Sequence, residues 1–342
     1  MYTKWSEREA RNMVDKPLLA IVVPCYNEEE VLPETARRLT ALLEQLLEEG
    51  AVAIGSHIVF VDDGSRDRTW ALIEEESERN PFVSGVKLAR NVGHQRALLA
   101  GLDTVRAYAD CAVSIDADLQ DDVEAIREFV QKYREGYDVV YGVRRSRKTD
   151  TWFKRTTAQA FYRFMRAIGI ELIYNHADFR LMSKRALDEL SRYTEVNLFL
   201  RGLVPLVGFR STCVFYDRHE RWAGQSKYPL KKMLAFAFDG ITSLSVAPIR
   251  AITLIGFLAF LASGAAGLYA LISKLLGHAE SGWTSLMISV WFIGGLVLMS
   301  LGLIGEYIGK MYQEVKRRPR FAVEKTVQLP LPSEREKTPA RL

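Results

Sequence analysis

The chain has 342 residues, 48% of them hydrophobic and 26% charged, which is more than one small domain needs. Its formal net charge of +4 is too mild to mark a nucleic-acid binder. The averages conceal a mixed, charged stretch over residues 1–230 and a nearly pure apolar one over 249–308.

Residues 1–16 form a polar arm without an apolar core, so no cleavable signal peptide is expected and this part should stay in the cytoplasm. From there, strand and helix signals alternate. LLAIVVP (18–24) reads as a buried strand that ends at Pro24, and 28–48 carries apolar residues at helical spacing. Strands are expected at 57–63, 83–89, 111–116 and 138–143, with helices at 67–79, 95–106 and 123–133 between them. Repeated units of this kind predict a Rossmann-like, mostly parallel sheet with helices on both faces. Ligands then bind at the carboxyl ends of the strands. Polar clusters fall there: Asn27-Glu28, Asp62-Asp63, Arg90-Asn91 and Asp116–Asp118.

The alternation breaks after residue 150. A helix is expected at 151–169, strands at 178–183 and 209–217, a helix from about Lys184, and a short apolar helix or turn at 199–208. Residues 229–247 are amphipathic, with Lys231 and Lys232 beside Leu234, Phe236, Phe238 and Ile241, and suit a helix in the membrane interface. Two uncharged stretches follow, 251–273 and 281–305, each longer than the ~20 residues that span a bilayer. Basic flanks at Arg250, Lys310 and Lys316 and a nearly neutral loop predict a two-span hairpin within 248–309, with both flanks cytoplasmic. Gly264–Gly267 and Gly294–Gly295 offer small-residue faces for a homo-oligomer. Residues 310–342 read as a basic cytoplasmic tail, disordered over its Pro-, Glu- and Lys-rich end. Cys25, Cys111 and Cys213 follow no metal or disulfide spacing and read as reduced thiols.

Three patterns carry chemistry. In IDADLQDD (115–122), Asp116 and Asp118 follow a strand one residue apart. A sharp turn there would aim one carboxylate at Mg²⁺ or Mn²⁺ while the other holds ribose or a metal-bound water, with Gln120 as a third oxygen. The alternative is a solvated turn before helix-capping acids. In VDDGSRDRT (61–69), a carboxylate could hydrogen-bond uracil or ribose, or the segment could be an ordinary strand–turn–helix joint capped by Ser65 or Asp67. PCYNEEE (24–30) has the same form.

Together, in this order and on successive strand ends, these patterns resemble the family-2 glycosyltransferases with the GT-A fold. ARNVGHQRALLAGL (89–102), NHADFRLMS (175–183), NLFLRGL (197–203) and ERWAGQSKY (220–228), followed by two apolar spans, narrow the likeness further. They resemble the polyprenyl-phosphate glycosyltransferases, near the bactoprenol glucosyltransferases and akin to dolichol-phosphate mannose synthase. The likeness covers about residues 17–310, with a catalytic domain over 17–228.

The resemblance implies that Pro24, Tyr26, Glu28, Asp62, Asp63 and Asp116 contact the nucleotide-sugar, with Arg221, Ser226 and Lys227 in a loop closing over it. It implies a divalent metal at Asp116, Asp118 and Gln120. Asp178, Arg180 and Arg201 fall near the acceptor. His94 sits at a position where relatives can carry other residues and reads as a surface or structural histidine. A lipid phosphate is mostly dianionic at neutral pH, since its second pKa is about 6. It needs neutralisation and aim more than a base, which suits Arg180, Arg201 and Arg221, assisted by Lys231, Lys232 and Arg250 near the bilayer. Asp178 would then orient Arg180 or serve as a weak base. The expected reaction is inverting transfer of one sugar, from UDP-glucose or a similar donor, to a polyprenyl phosphate at the cytoplasmic membrane face. Mannose, an N-acetylhexosamine or an aminoarabinose derivative remains open as the sugar, and a non-catalytic scaffold remains the competing class. A processive synthase would want more spans and a QxxRW motif in place of ERWAGQSKY.

Overall fold

The computed structural model describes residues 16–145, 176–196, 199–218, 242, 245–276 and 282–329. The described residues up to 218 form one unit together with 319–329, and those from 242 to 318 form another.

The first unit is built on an eight-stranded sheet. Its strands are β1 (Leu19–Cys25), β2 (His57–Asp62), β3 (Val83–Leu88), β4 (Cys111–Ser114), β5 (Val139–Arg144), β6 (His176–Ser183), β7 (Ser211–Tyr216) and β8 (Val323–Val327). Their spatial order is β7-β5-β6-β4-β1-β2-β3-β8. Strands β4, β1, β2 and β3 run parallel, as does β5 with β7; β6 is antiparallel to both its neighbours and β8 to β3. The expected mostly parallel sheet is therefore present.

β1 is buried along its whole length, which is why it reads as an unbroken apolar run. Pro24 does not end it. It is buried inside the strand, beyond the last β1–β4 pair (Val22↔Ser114), where a missing N–H leaves no ladder partner unmet.

Helices α1 (Leu32–Glu48), α2 (Thr69–Arg79), α3 (His94–Val105), α4 (Ala125–Arg134), α5 (Lys184–Ser191) and α6 (Leu200–Leu206) connect the strands. α1 starts later than the apolar spacing suggested because Pro33 is tolerated only in a first turn. It buries Leu32, Ala36, Leu39, Leu42, Leu43 and Leu46. α3 lies directly on β1 and β2: a Cβ on Gly101 would stand 2.4 Å from Val22 Cγ1 and 2.7 Å from Val61 Cγ2. This close packing fixes the start of α3 relative to the strand ends.

The expectation of a disordered tail over 310–342 needs correction. Residues 310–315 continue a helix, and Val323–Val327 form β8 on the free edge of β3. Lys87 Nζ lies 3.1 Å from Glu324, and Lys325 Nζ lies 2.5 Å from Glu74. Ser84 Oγ donates to the Gln328 carbonyl at 3.0 Å. Averaged composition hid a short β-branched run, VEKTV, inside a polar segment. Residues 330–342 lie outside the described part.

The second unit holds α7 (Ala247–Leu275) and α8 (Trp283–Val315), of 29 and 33 residues. Both are long and apolar enough to cross a membrane, by length and composition. Each is longer than the span expected from the sequence. α8 continues through Glu306, Lys310 and Glu314, where Tyr307 donates to the Ser245 carbonyl at 2.6 Å and Lys310 to Thr242 Oγ1 at 2.5 Å. The expected helices at 151–169 and 229–247 lie outside the described residues, apart from 242 and 245–247.

Candidate active site

The chain passes from β1 outward to β2 and β3, then returns to β4 on the other side of β1. The carboxyl ends of β1 and β4 therefore flank a topological switch point, where open α/β sheets bind ligands.

On one side of it the loops after β1 and β2 are laced together. Asn27 N–H donates to Ser65 Oγ at 2.9 Å and Glu28 N–H to Thr69 Oγ1 at 2.9 Å; Arg66 N–H donates back to Asn27 Oδ1 at 2.9 Å. Asp67 Oδ1 accepts the Thr69 amide at 3.0 Å and its hydroxyl at 2.6 Å, a local turn and not the expected cap: the N-cap of α2 is Arg68, with no side-chain cap bond. Tyr26 is exposed at this rim. Pro24, expected to contact the nucleotide, is buried.

Asp62 and Asp63 are both buried. Asp63 accepts the Val92 amide at 2.7 Å through Oδ1 and the Gly93 amide at 2.9 Å through Oδ2. Its place is that of a clamp on the loop after β3. The clamp is tight because Gly64 (φ +65°) lets that loop approach: a Cβ there would meet Asn91 N at 2.6 Å. Burial raises the Asp63 carboxyl despite these two amides. Asp62 Oδ1 accepts the Ser65 amide at 3.2 Å, and Oδ2 is buried with no partner among the described residues.

On the other side, β4 ends at Ser114 and the chain turns through Asp116–Asp118. Leu119 adopts φ +54°, the sharp turn that the Asp-x-Asp spacing suggested. Thr35 on α1 holds this turn, donating to the Ala117 carbonyl at 2.8 Å. Asp118 Oδ1 accepts the Gln120 amide at 3.2 Å. Gln120 Oε1, expected as a metal ligand, accepts instead from the Arg218 guanidinium beyond β7.

Across the turn stands a charged cluster. His94, first residue of α3, places Nε2 3.5 Å from Asp116 Oδ1 and 3.9 Å from Asp178 Oδ2. Burial raises the Asp116 carboxyl, with His94 opposing. Asp178 lies on β6 and accepts from Arg180 Nη2 at 2.5 Å and from Arg201 Nη2 at 3.1 Å. Burial alone would raise the Asp178 carboxyl, but Arg201 and Arg180 outweigh it and hold the group well below the usual carboxylate range. The Arg180 side chain is 2% exposed and is committed to Asp178 and to the Leu200 carbonyl at 3.4 Å, so it has no free edge for a phosphate. Arg201, on α6, is 38% exposed and keeps an open edge beside Asp178. Arg221, Ser226, Lys227, Lys231 and Lys232 lie outside the described residues.

A family model for glycosyl transferase family 2 matches residues 20–191, which hold the strand ends and the cluster just described except Arg201. The chain belongs to glycosyltransferase family 2. Its sheet is the GT-A architecture. It is 64% identical over 309 residues to the uncharacterized glycosyltransferase YkoT of Bacillus subtilis, covering 90% of this chain and 92% of that one. It is 38% identical over 313 residues to the SfII prophage-derived bactoprenol glucosyl transferase of Shigella flexneri, covering 90% and 98%. Among solved structures, the glucosyl-3-phosphoglycerate synthase of Mycobacterium tuberculosis superposes with a TM-score of 0.45 at 18% identity, over 70% of this chain and 82% of that one. At that score the backbones diverge too far for comparison side chain by side chain.

Within this family-2 domain, sequence reasoning undervalued His94, which looked like a surface residue. It stands at the start of α3, after the loop that follows β3. It also missed Asp121, buried 2%-exposed behind the turn. Tyr216 donates to Asp121 Oδ1 at 2.6 Å and Arg144 Nη2 donates to it at 2.9 Å, tying β5 and β7 to the Asp-x-Asp turn. A charge in DLQDD was visible, but its partners are 23 and 95 residues away.

No three His, Cys, Asp or Glu side chains gather into a metal cage among the described residues. Two carboxylates on one turn fit a different arrangement, in which Mg²⁺ or Mn²⁺ takes one or two protein oxygens and completes its shell with substrate phosphates and water. Asp118 and Asp116 would hold such an ion; Gln120 fits only if Arg218 releases it.

The turn offers a direct test. Thr35→Val keeps side-chain shape but strands the buried Ala117 carbonyl, at a cost of about 1–3 kcal/mol. We expect a lower melting temperature and reduced turnover, both restored by Thr35→Ser. A Val variant with native turnover would release Thr35 from this role.

Proposed function

We propose that this family-2 transferase moves a single sugar from a nucleotide-sugar, UDP-glucose first among the candidates, to a polyprenyl phosphate, with inversion at the anomeric carbon. The observation that carries the reading is the Asp178–Arg201 pair, whose guanidinium keeps an open edge across from the Asp116–Asp118 turn. One side thus suits a leaving diphosphate and the other an incoming phosphate. The name of the Shigella relative supports the lipid acceptor and the glucosyl group. The two long apolar helices suit an acceptor whose tail stays in a bilayer, and their basic flanks suit a catalytic domain on the cytoplasmic face.

The division of labour follows from charge. The acceptor phosphate, mostly dianionic, is its own nucleophile. Arg201 neutralises and aims it. Asp178, whose carboxyl is held far into its ionised range, is a poor base and orients Arg201. Buried Arg180 braces Asp178 from beneath. His94 lies between Asp116 and Asp178, with Nε2 3.5 and 3.9 Å from their carboxylate oxygens. A divalent ion at Asp118 would neutralise charge developing on the leaving nucleoside diphosphate.

The test is transfer of radiolabelled sugar from a panel of UDP- and GDP-sugars to undecaprenyl phosphate in detergent, with and without Mg²⁺ or Mn²⁺. Metal-dependent labelling of the lipid from one donor is the expected result. Absence of lipid labelling from every donor, by folded protein, would overturn the reading.

A further inference from the structure

The helix that carries Arg201 cannot hold itself in place. α6 has seven residues, Pro205 interrupts it, and Phe199 before it supplies no side-chain cap. The Leu200 amide, at its first residue, would be an orphan donor in a buried position. That amide instead donates to Gln95 Oε1 at 3.1 Å, a partner 105 residues earlier in the chain. The adjacent Arg96 Nη2 donates to the Val196 carbonyl at 3.2 Å. Two consecutive side chains at the start of α3 therefore grip the segment leading into α6.

The start of α3 is itself fixed. Asp63 takes the Val92 and Gly93 amides, Gly93 turns the chain at φ +93°, and Gly101 seats the helix on β1 and β2. A continuous line of contacts thus runs from the end of β2 through Gln95 to the backbone next to Arg201. The Asp116–Asp118 turn is held separately, by Thr35.

We propose that Gln95 is a positioning residue for the acceptor side: its side-chain oxygen supplies the missing cap of α6 and so sets Arg201 against Asp178 for an incoming phosphate. This rests on the functional reading above.

Two variants separate the hydrogen bond from packing. Gln95→Met has a similar shape and no comparable acceptor; Gln95→Glu keeps an acceptor oxygen at the same reach. With full-length protein in detergent, UDP-glucose and undecaprenyl phosphate, Gln95→Met should raise the acceptor KM about tenfold, the scale of one hydrogen bond. The donor KM should stay within about twofold, and Gln95→Glu should return the acceptor KM towards wild type. Amide hydrogen exchange of the peptide spanning 199–203 should quicken in Gln95→Met and not in Gln95→Glu. An unchanged acceptor KM, an equal rise in both KM values, or no rescue by Glu would overturn the proposal. If the wild type moves no sugar to lipid, the functional reading fails. The exchange measurement then decides the cap alone, and unchanged exchange in Gln95→Met would remove it as well.

Discussion

Asp118→Asn is expected to lower sugar transfer by at least about 10²-fold, the scale of losing one electrostatic stabiliser of the transition state. The substitution isolates charge from shape. Asn retains an oxygen to accept the Gln120 amide, as Asp118 Oδ1 does at 3.2 Å, and Thr35 still holds the turn through the Ala117 carbonyl. The melting temperature should therefore stay near wild type while turnover collapses. Near-normal turnover would remove Asp118 as the residue facing the leaving diphosphate and the metal. A loss of both folding and turnover would place it in the scaffold.

Asp178→Ala should damage both stability and activity. Its removal leaves the Arg180 guanidinium, 2% exposed, without its main counter-charge. Breaking a buried pair from one side costs about 3–5 kcal/mol, because the remaining charge stays buried and unpaired. Arg201→Ala is the informative contrast: that side chain is 38% exposed, so its loss should spare the fold and weaken acceptor use. A thermal melt of each variant in detergent distinguishes the two. An unchanged melt for Asp178→Ala would mean that Arg180 finds another partner. The pH dependence has a defined sign. The folded Asp178 carboxyl lies below its unfolded value of about 3.9, so its stabilisation is complete above that pH and lost as pH falls further. Activity losses between pH 6 and 8 thus cannot be assigned to Asp178, whose charge is constant there.

The parts of this site legible in the sequence are those that chain order itself places. β1, β2 and β4 are local apolar runs, and their polar ends had to meet at one edge of a parallel sheet. The Asp116–Asp118 turn followed from local spacing alone. What was not legible depends on contacts across long separations. Asp63 looks like a ligand-facing carboxylate until the loop after β3 is seen folded over it. Arg180 resembles a phosphate arginine in the linear motif, yet its place on β6, antiparallel between β4 and β5, buries it under Asp178. Gln120 looks available until Arg218 arrives from the end of β7. Local composition also misled at 323–327, where five residues of a polar tail find an open strand edge.

That last strand has a consequence for how the protein is made. β8 comes after both long apolar helices in the chain, yet it belongs to the sheet that begins at Leu19. During synthesis the earlier strands can assemble as they leave the ribosome, but β3 must wait with a bare edge until 323–327 has been translated. The sheet is thus completed only by a segment that follows both apolar helices in the chain. A chain cut short anywhere before residue 323 would leave that edge open to pairing with other molecules.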